Sequence, residues 1–306
     1  MTIWQDIKWQ YQYGSDIIKL ILINCAVFII VNLISLPFML MAKNAPIDLV
    51  RFFSLFASIK NIAFHPWGIF TYMFVHQSFL HILFNMLGLY WFGQIVQDLV
   101  GRAKILPLYI FGGMAGGLLY VVAYNIFPAF NAVLDSTYNF GASAAVLAMV
   151  LAAATIAPNY EVGLLFFGPV KIKWIAFVYV LLDLINIQIG NAGGHIAHLG
   201  GALFGFLYIK LLQNGTDLGR PFYAVVDFFS NLFKKKNTLK VTYKKEKQYA
   251  YTAAENQTKT NNTTQQKDTL SKQERLDAIL DKINRSSYDS LSKEEKDFLF
   301  KISQED

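Results

Sequence analysis

Apolar residues gather into six stretches, at about residues 18–41, 79–98, 104–127, 141–157, 162–185 and 195–213. A helix that crosses a bilayer needs roughly 20 apolar residues, and each stretch meets or approaches that length. The fourth is short and rich in alanine. That suits the middle of a bundle, where small side chains let neighbouring backbones approach closely. The pattern predicts an all-α membrane protein with six transmembrane helices over residues 18–213, preceded by an N-terminal segment, 1–17. The run at 18–41 is too long for the apolar core of a signal peptide, so it reads as a retained first helix.

Residues 42–78 break the pattern. Leu49, Phe52, Phe53, Leu55 and Phe56 make this connection apolar, yet Pro46 and Pro66 interrupt it. Non-helical backbone at membrane depth survives only where it is buried in protein or faces a water-filled cavity. A partly sunken loop at the outer interface is therefore expected. After the sixth stretch, residues 214–238 carry an apolar run that ends in Lys234, Lys235 and Lys236. Such a segment reads as an amphipathic helix lying on the inner membrane surface. Residues 239–269 are polar and low in complexity, and they predict a disordered linker. Beyond it, Ser271 with Glu274 and Ser292 with Glu295 form capping-box patterns. They precede Leu276, Ile279, Leu280 and Ile283, and then Phe298, Leu299 and Ile302. This predicts a small cytoplasmic helical hairpin at 270–306, a docking module for an unidentified cytoplasmic partner.

Composition agrees with the membrane reading. Only 16% of residues are charged, against roughly 25% in soluble domains, and those charges crowd into the last third. A single soluble domain is excluded. The net charge of +6 lies in basic clusters beside apolar segments, which fits anionic lipid headgroups rather than nucleic acid. Lysine and arginine also orient the chain. Lys8, Lys19, Arg102, Lys104, Lys171, Lys173, Arg220 and Lys234 to Lys236 flank alternate connections, whereas 128–140 and 186–194 carry neither residue. Both termini are thus expected to be cytoplasmic, and the location expected is the cytoplasmic (inner) membrane of a bacterium. The single cysteine, Cys25, excludes an internal disulfide and a cysteine-based metal site.

Polar groups inside a membrane are costly and need a reason. All five histidines (His65, His76, His81, His195 and His198) fall on the predicted outer side, together with Asn85 and Ser143. Ser143 sits in Gly141-Ala-Ser-Ala, in the first turn of the fourth helix, where backbone N–H groups lack intrahelical partners. It could act as a nucleophile with an oxyanion donor built in. Taken alone it is more simply a packing serine. His198 follows Ala197 in a stripe of small residues, Ala197, Gly201 and Gly205, so it lies beside a close helix contact and could serve as general base. Taken alone it is more simply a structural histidine. His195 competes for the same role. His81 and Asn85, spaced i, i+4, share one helix face and could donate to a developing negative charge. They could equally form an interhelical clamp. The histidines could instead hold a metal or haem, but Asp135 and Asp183, the nearest carboxylates, have no fixed relation to them in the sequence.

Three ordered motifs carry a family resemblance. They are Trp67 to Met86 with His76, His81 and Asn85, then Gly141-Ala-Ser143-Ala, then Ala197-His198-Leu-Gly-Gly201-Ala-Leu-Phe-Gly205. Over about residues 62–213 the chain resembles the rhomboid intramembrane serine proteases. The resemblance implies a Ser143/His198 dyad with no third acidic residue. It implies an oxyanion hole of His81, Asn85 and the Ser143 N–H, with neither cofactor nor metal. It also implies transmembrane proteins as substrates, with the lipid bilayer as surroundings. Two residues depart from the pattern. Ala144 stands where glycine is frequent, and Leu147 stands where some members stack an aromatic ring on the histidine, so His198 must be positioned by other neighbours. The alternative is a non-catalytic relative that binds or escorts transmembrane helices.

Overall fold

A computed structural model describes residues 2–41, 48–164, 168–233, 275–283 and 288–302. The chain divides into two units, 1–236 and 237–306. In the first unit, α1 (Ile3–Tyr13) opens with a capping box between Thr2 and Gln5, and α2 (Asp16–Met41) follows. The long connection folds as α3 (Leu49–Phe53), β1 (Leu55–Phe56), α4 (Ile59–Phe64) and α5 (Gly68–Thr71). Then come α6 (Phe79–Val100), α7 (Ile105–Ile126), β2 (Tyr138–Asn139), α8 (Ser143–Ile156), β3 (Glu161–Leu164), β4 (Gly168–Lys171), α9 (Ile172–Asn186), α10 (Ala192–Gln213) and α11 (Arg220–Phe233).

Among the described residues four helical segments are long and apolar enough to cross a membrane: Asp16–Pro37, Phe79–Val100, Arg102–Ile126 and Ala192–Gln213. Helices α8 and α9 are shorter, with 14 and 15 residues. Large apolar side chains such as Ile30, Leu33, Phe84, Trp91, Leu118 and Phe177 point outward. A surface of that kind belongs against lipid rather than water.

The fifth predicted stretch begins late. Residues 162–164 and 168–171 were expected to be helical, but they belong to the antiparallel strands β3 and β4, which pair Glu161 with Lys171 and Leu164 with Gly168. The reason is local. Gly168 adopts φ +69°, a conformation open mainly to glycine, and Pro169 cannot donate to a helix. The helix starts only after them.

Helix α8 is the hub of the bundle, with Ala144, Ala145, Val146, Leu147, Ala148, Met149, Val150, Ala152, Ala153 and Ala154 all buried. Its neighbours reach it by having no side chain. A methyl group placed on Gly201 would lie 2.0 Å from the Ala144 carbonyl oxygen, and one on Gly205 would lie 2.1 Å from that of Ala148. From α7, Gly116 meets both Ala144 and the Ala197 carbonyl, and Gly112 meets Ala148. Gly201 and Gly205 of the stripe thus pack backbone to backbone against α8, and the Ala197 carbonyl meets α7, close contacts of the kind its spacing predicts.

The segment between α2 and α6 is sunken, as its aromatic content predicts. Ser54, Leu55, Phe56, Ala57, Ser58, Tyr72, Met73 and His76 are all buried. Several of its polar groups find partners in the bundle. Tyr72 donates through its hydroxyl to the Gly113 carbonyl (2.6 Å), Tyr109 to the Met73 carbonyl (3.0 Å), and Asn125 to the Ala57 carbonyl (2.8 Å). Residues 42–47 of this loop lie outside the described residues. At the opposite end of the bundle, Arg102 donates to Asp16 (2.8 Å) and to the Gly14 carbonyl (2.9 Å). There too Lys104 pairs with Asp217, and the Tyr223 hydroxyl donates to the Ala103 carbonyl.

In the second unit, α12 (275–283) and α13 (Lys293–Ile302) are joined through a salt bridge of Lys282 with Glu295 (2.9 Å) and the Arg275 guanidinium over the Phe298 ring. Ser292 and Glu295 exchange the two hydrogen bonds of a capping box. The linker expected at 239–269 and the Ser271/Glu274 cap lie outside the described residues.

Candidate active site

Ser143 is the first residue of α8, and two elements set its position. Strand β1 pairs with β2, Leu55 opposite Asn139 and Phe56 opposite Tyr138, which draws the chain leading to Ser143 onto the sunken loop. Next, the Gly141 N–H donates to the Tyr72 carbonyl (2.9 Å), and the Ala142 N–H donates to His76 Nε2 (3.3 Å). Gly141 sits at φ +118°, where a side chain would be strained. It also has no room for one. A methyl group there would lie 2.8 Å from His81 Nε2 and 3.8 Å from Ser143 Oγ. The His81 ring therefore stands across Gly141 from Ser143. His76 is fully buried. Its burial first, and the neighbouring His81 second, push its imidazole down to about 3. It stays neutral and keeps an acceptor on Ala142.

His198 meets Ser143 from α10, with 2.7 Å between His198 Nε2 and Ser143 Oγ. The close α8–α10 packing around Gly201 makes that reach possible. His195, the competing base, points elsewhere: its Nδ1 lies 2.7 Å from Asp183 Oδ1. Asn85 is buried, and its Nδ2 donor has no partner among the described residues. It lines a cavity of about 300 Å³ together with Phe84, Ser143, Leu147, Tyr179, Asp183 and His198. Of the four residues singled out in the sequence, Ser143, His198 and Asn85 share this cavity, and His81 stands beside it behind Gly141.

Asp183 overturns the expectation of no third acidic residue, and with it the view that Asp183 has no fixed relation to the histidines. Its Oδ1 lies 2.9 Å from His198 Nδ1 as well as 2.7 Å from His195 Nδ1. Only Ile172, Ala176 and Asp183 are buried along α9, so the carboxylate is turned inward on a helix whose other faces are apolar. An ionised carboxylate only accepts hydrogen bonds, and facing one, both Nδ1 atoms would be the protonated donors. His198 Nε2 is then a bare acceptor, and the Ser143 hydroxyl donates to it. One signal could have found Asp183. It is the lone acidic residue within the apolar stretch 162–185, and an intramembrane carboxylate calls for a partner.

The three donors Asp183 Oδ1, His195 Nδ1 and His198 Nδ1 lie within 4.8 Å of one another and could ligate a metal ion. Their mutual distances are those of hydrogen bonds, and His198 would have to give up its Nδ1 proton to serve as a ligand.

Comparison with known proteins gives one family. The rhomboid domain model matches residues 63–214. The rhomboid-like protein 12, mitochondrial, of Arabidopsis thaliana is 29% identical over 195 residues, covering 61% of this chain and 55% of the relative. The presenilin-associated rhomboid-like protein A, mitochondrial, of Danio rerio is 31% identical, covering 44% of this chain and 35% of the relative. The rhomboid protease GlpG of Haemophilus influenzae is 31% identical over 155 residues, which are 49% of this chain and 74% of that protein. The chain thus spans about half or less of the length of the two mitochondrial relatives. Since mitochondrial and bacterial proteins both match, the likeness supports a membrane location without supporting the bacterial inner membrane expected above.

Proposed function

Because the chain belongs to the rhomboid family and is an integral membrane protein, we propose that it is a serine endopeptidase that hydrolyses peptide bonds in or near the transmembrane segments of membrane proteins. The observation that carries this reading is the 2.7 Å contact between Ser143 Oγ and His198 Nε2 on the wall of a cavity that also holds the unpartnered Asn85 amide.

The chemistry follows from the atoms present. The Ser143 hydroxyl passes its proton to His198 Nε2 as an oxygen lone pair bonds to the substrate carbonyl carbon. The carbonyl π electrons move onto the oxygen, and the new oxyanion is met by Asn85 Nδ2, by His81 and by the Ser143 N–H at the start of α8. Collapse re-forms the carbonyl and expels the amine, which takes the Nε2 proton. Water then attacks the acyl-enzyme through the same cycle. The positive end of α8 and an otherwise apolar cavity wall strengthen these interactions, since charges act more strongly in a low dielectric. The expected orientation puts this end of the bundle on the outer face with both termini cytoplasmic.

The test uses the full chain in detergent, treated with a fluorophosphonate probe and a fluorogenic transmembrane substrate. Labelling and cleavage that vanish in Ser143→Ala and in His198→Ala are expected. A wild type that melts cooperatively, yet neither labels nor cleaves any transmembrane substrate, sinks the proposal.

A further inference from the structure

Asp183 meets two histidines through one oxygen, and its other oxygen, Oδ2, is buried without a partner among the described residues. No lysine or arginine among the described residues pairs with it. In a membrane helix such a group needs a reason to persist. The ring of His198 needs a holder, because Leu147 stands four residues after Ser143, is buried, and offers no aromatic face. We propose that Asp183 is a positioning residue that fixes His198 in its Nδ1–H tautomer, with His195 donating to the same oxygen and holding the carboxylate in place.

Two physical consequences follow. The first is directional. A neutral imidazole carries one N–H, and either nitrogen can hold it. With the proton on Nε2, His198 would donate to Ser143 Oγ and could not take its proton. A carboxylate facing Nδ1 removes that non-productive form. The second is electrostatic. A general base is unprotonated before it acts, so in the competent resting state Asp183 faces a neutral His198 ring. When Ser143 attacks, His198 becomes an imidazolium 2.9 Å from the carboxylate oxygen. An ion pair thus exists in the transition state and not before it, and only such differential stabilisation raises kcat. No proton needs to pass to Asp183. Its position on α9 also gives that helix a role: α9 is otherwise lightly buried, and its one inward polar group reaches two residues of α10.

This proposal rests on the reading of Ser143 as nucleophile for its kinetic consequence but not for its structural one, so two measurements separate them. The first is ¹⁵N NMR of the full chain in detergent with labelled histidine, in mildly alkaline buffer where a free imidazole is neutral. The His198 signals are identified by their loss in His198→Gln. Wild type is expected to show a protonated Nδ1 and a bare Nε2, and Asp183→Asn a shift toward the Nε2–H form. The second is kinetics on a transmembrane substrate. Asp183→Asn is expected to lower kcat on the order of 10³- to 10⁴-fold with KM changed less than about threefold, and Asp183→Glu to recover part of the loss. An unchanged tautomer in Asp183→Asn, or a kcat within about threefold of wild type, overturns the proposal while leaving the protease reading intact. Should Asp183→Asn fail to fold, the wild-type spectrum decides alone, because an Nε2–H ring at His198 refutes it. A folded wild type that never labels or cleaves removes the protease reading, and the tautomer measurement still decides the role of Asp183.

Discussion

Replacing Gly201 with alanine connects the packing of the bundle to its chemistry in a single atom. The added methyl would start 2.0 Å from the Ala144 carbonyl oxygen, where real contacts are essentially never under 3.0 Å. Because the obstacle is backbone, no rotamer relieves it, and α10 must move away from α8 by at least about 1 Å. His198 lies three residues earlier on α10, and Ser143 precedes Ala144 on α8. The Ser143–His198 contact spans the same interface, so 2.7 Å becomes about 3.7 Å, beyond a hydrogen bond. Overpacking of this kind costs typically 1–3 kcal/mol, and a misplacement of about 1 Å between reacting groups costs roughly 100-fold in rate. Gly201→Ala is therefore expected to melt several degrees lower in detergent and to react with a fluorophosphonate roughly 100-fold more slowly. Gly163, where a methyl would meet nothing within 4 Å, provides the control, and Gly163→Ala should label at the wild-type rate. A Gly201→Ala protein with wild-type melting and labelling refutes the coupling of the two helices to the site.

Three other outcomes are expected. His76 is held near 3 in the fold against 6.5 when free, so the unfolded chain binds the extra proton between those values. Its neutral burial stabilises the fold above about pH 6.5, and that contribution is lost as pH falls toward 3. In His76→Gln the melting temperature should depend less on pH across this window, and an unaltered pH dependence would contradict the assignment. Gly141→Ala should abolish labelling even if the protein folds, because the residue would meet the His81 ring at 2.7 Å and a φ of +118°; normal labelling would show that His81 is free to move aside. Asn85→Leu removes a buried donor that has no partner, whose desolvation costs about 1–3 kcal/mol. It should melt no lower than wild type while losing about 10²- to 10³-fold in kcat, and a loss of stability without loss of activity would refute an oxyanion role.

The long helices were legible because their signal is additive. Roughly 20 apolar residues in a row allow few other readings, and the bounds of α2, α6, α7 and α10 fall within a few residues of expectation. The glycines of α10 were legible because close packing demands small residues at fixed spacing. The start of α9 was not, because apolar content alone does not separate a strand from a helix; Gly168 and Pro169 carried the stop signal. Of the site, Ser143, His198 and Asn85 were found because each is a polar group on an apolar helix. Asp183 meets the same criterion, but in the sequence it has no fixed relation to the histidines, since it lies 12 residues before His195 across a turn whose geometry the sequence does not encode. Whether a carboxylate on α9 faces α10 or lipid depends on how α9 is rotated in the bundle.

The unsatisfied groups point the same way as the motifs. Five buried side-chain atoms with no partner occur among the described residues, and two of them, Asn85 Nδ2 and Asp183 Oδ2, belong to residues that line the cavity beside Ser143. In the sunken loop Tyr72 donates to the Gly113 carbonyl, and Tyr109 and Asn125 of the bundle donate to the Met73 and Ala57 carbonyls, while His76 Nδ1 is left without a partner among the described residues. Folding alone would select against a lone amide donor and a half-satisfied carboxylate in so apolar a setting. The Asn85 donor is explained by a charge that is absent at rest, an oxyanion, and Asp183 by an imidazolium that forms at Oδ1; its Oδ2 has no such explanation. On this view part of the stability gained where α7, α8 and α10 touch backbone to backbone offsets a cavity that is kept electrostatically incomplete until substrate arrives.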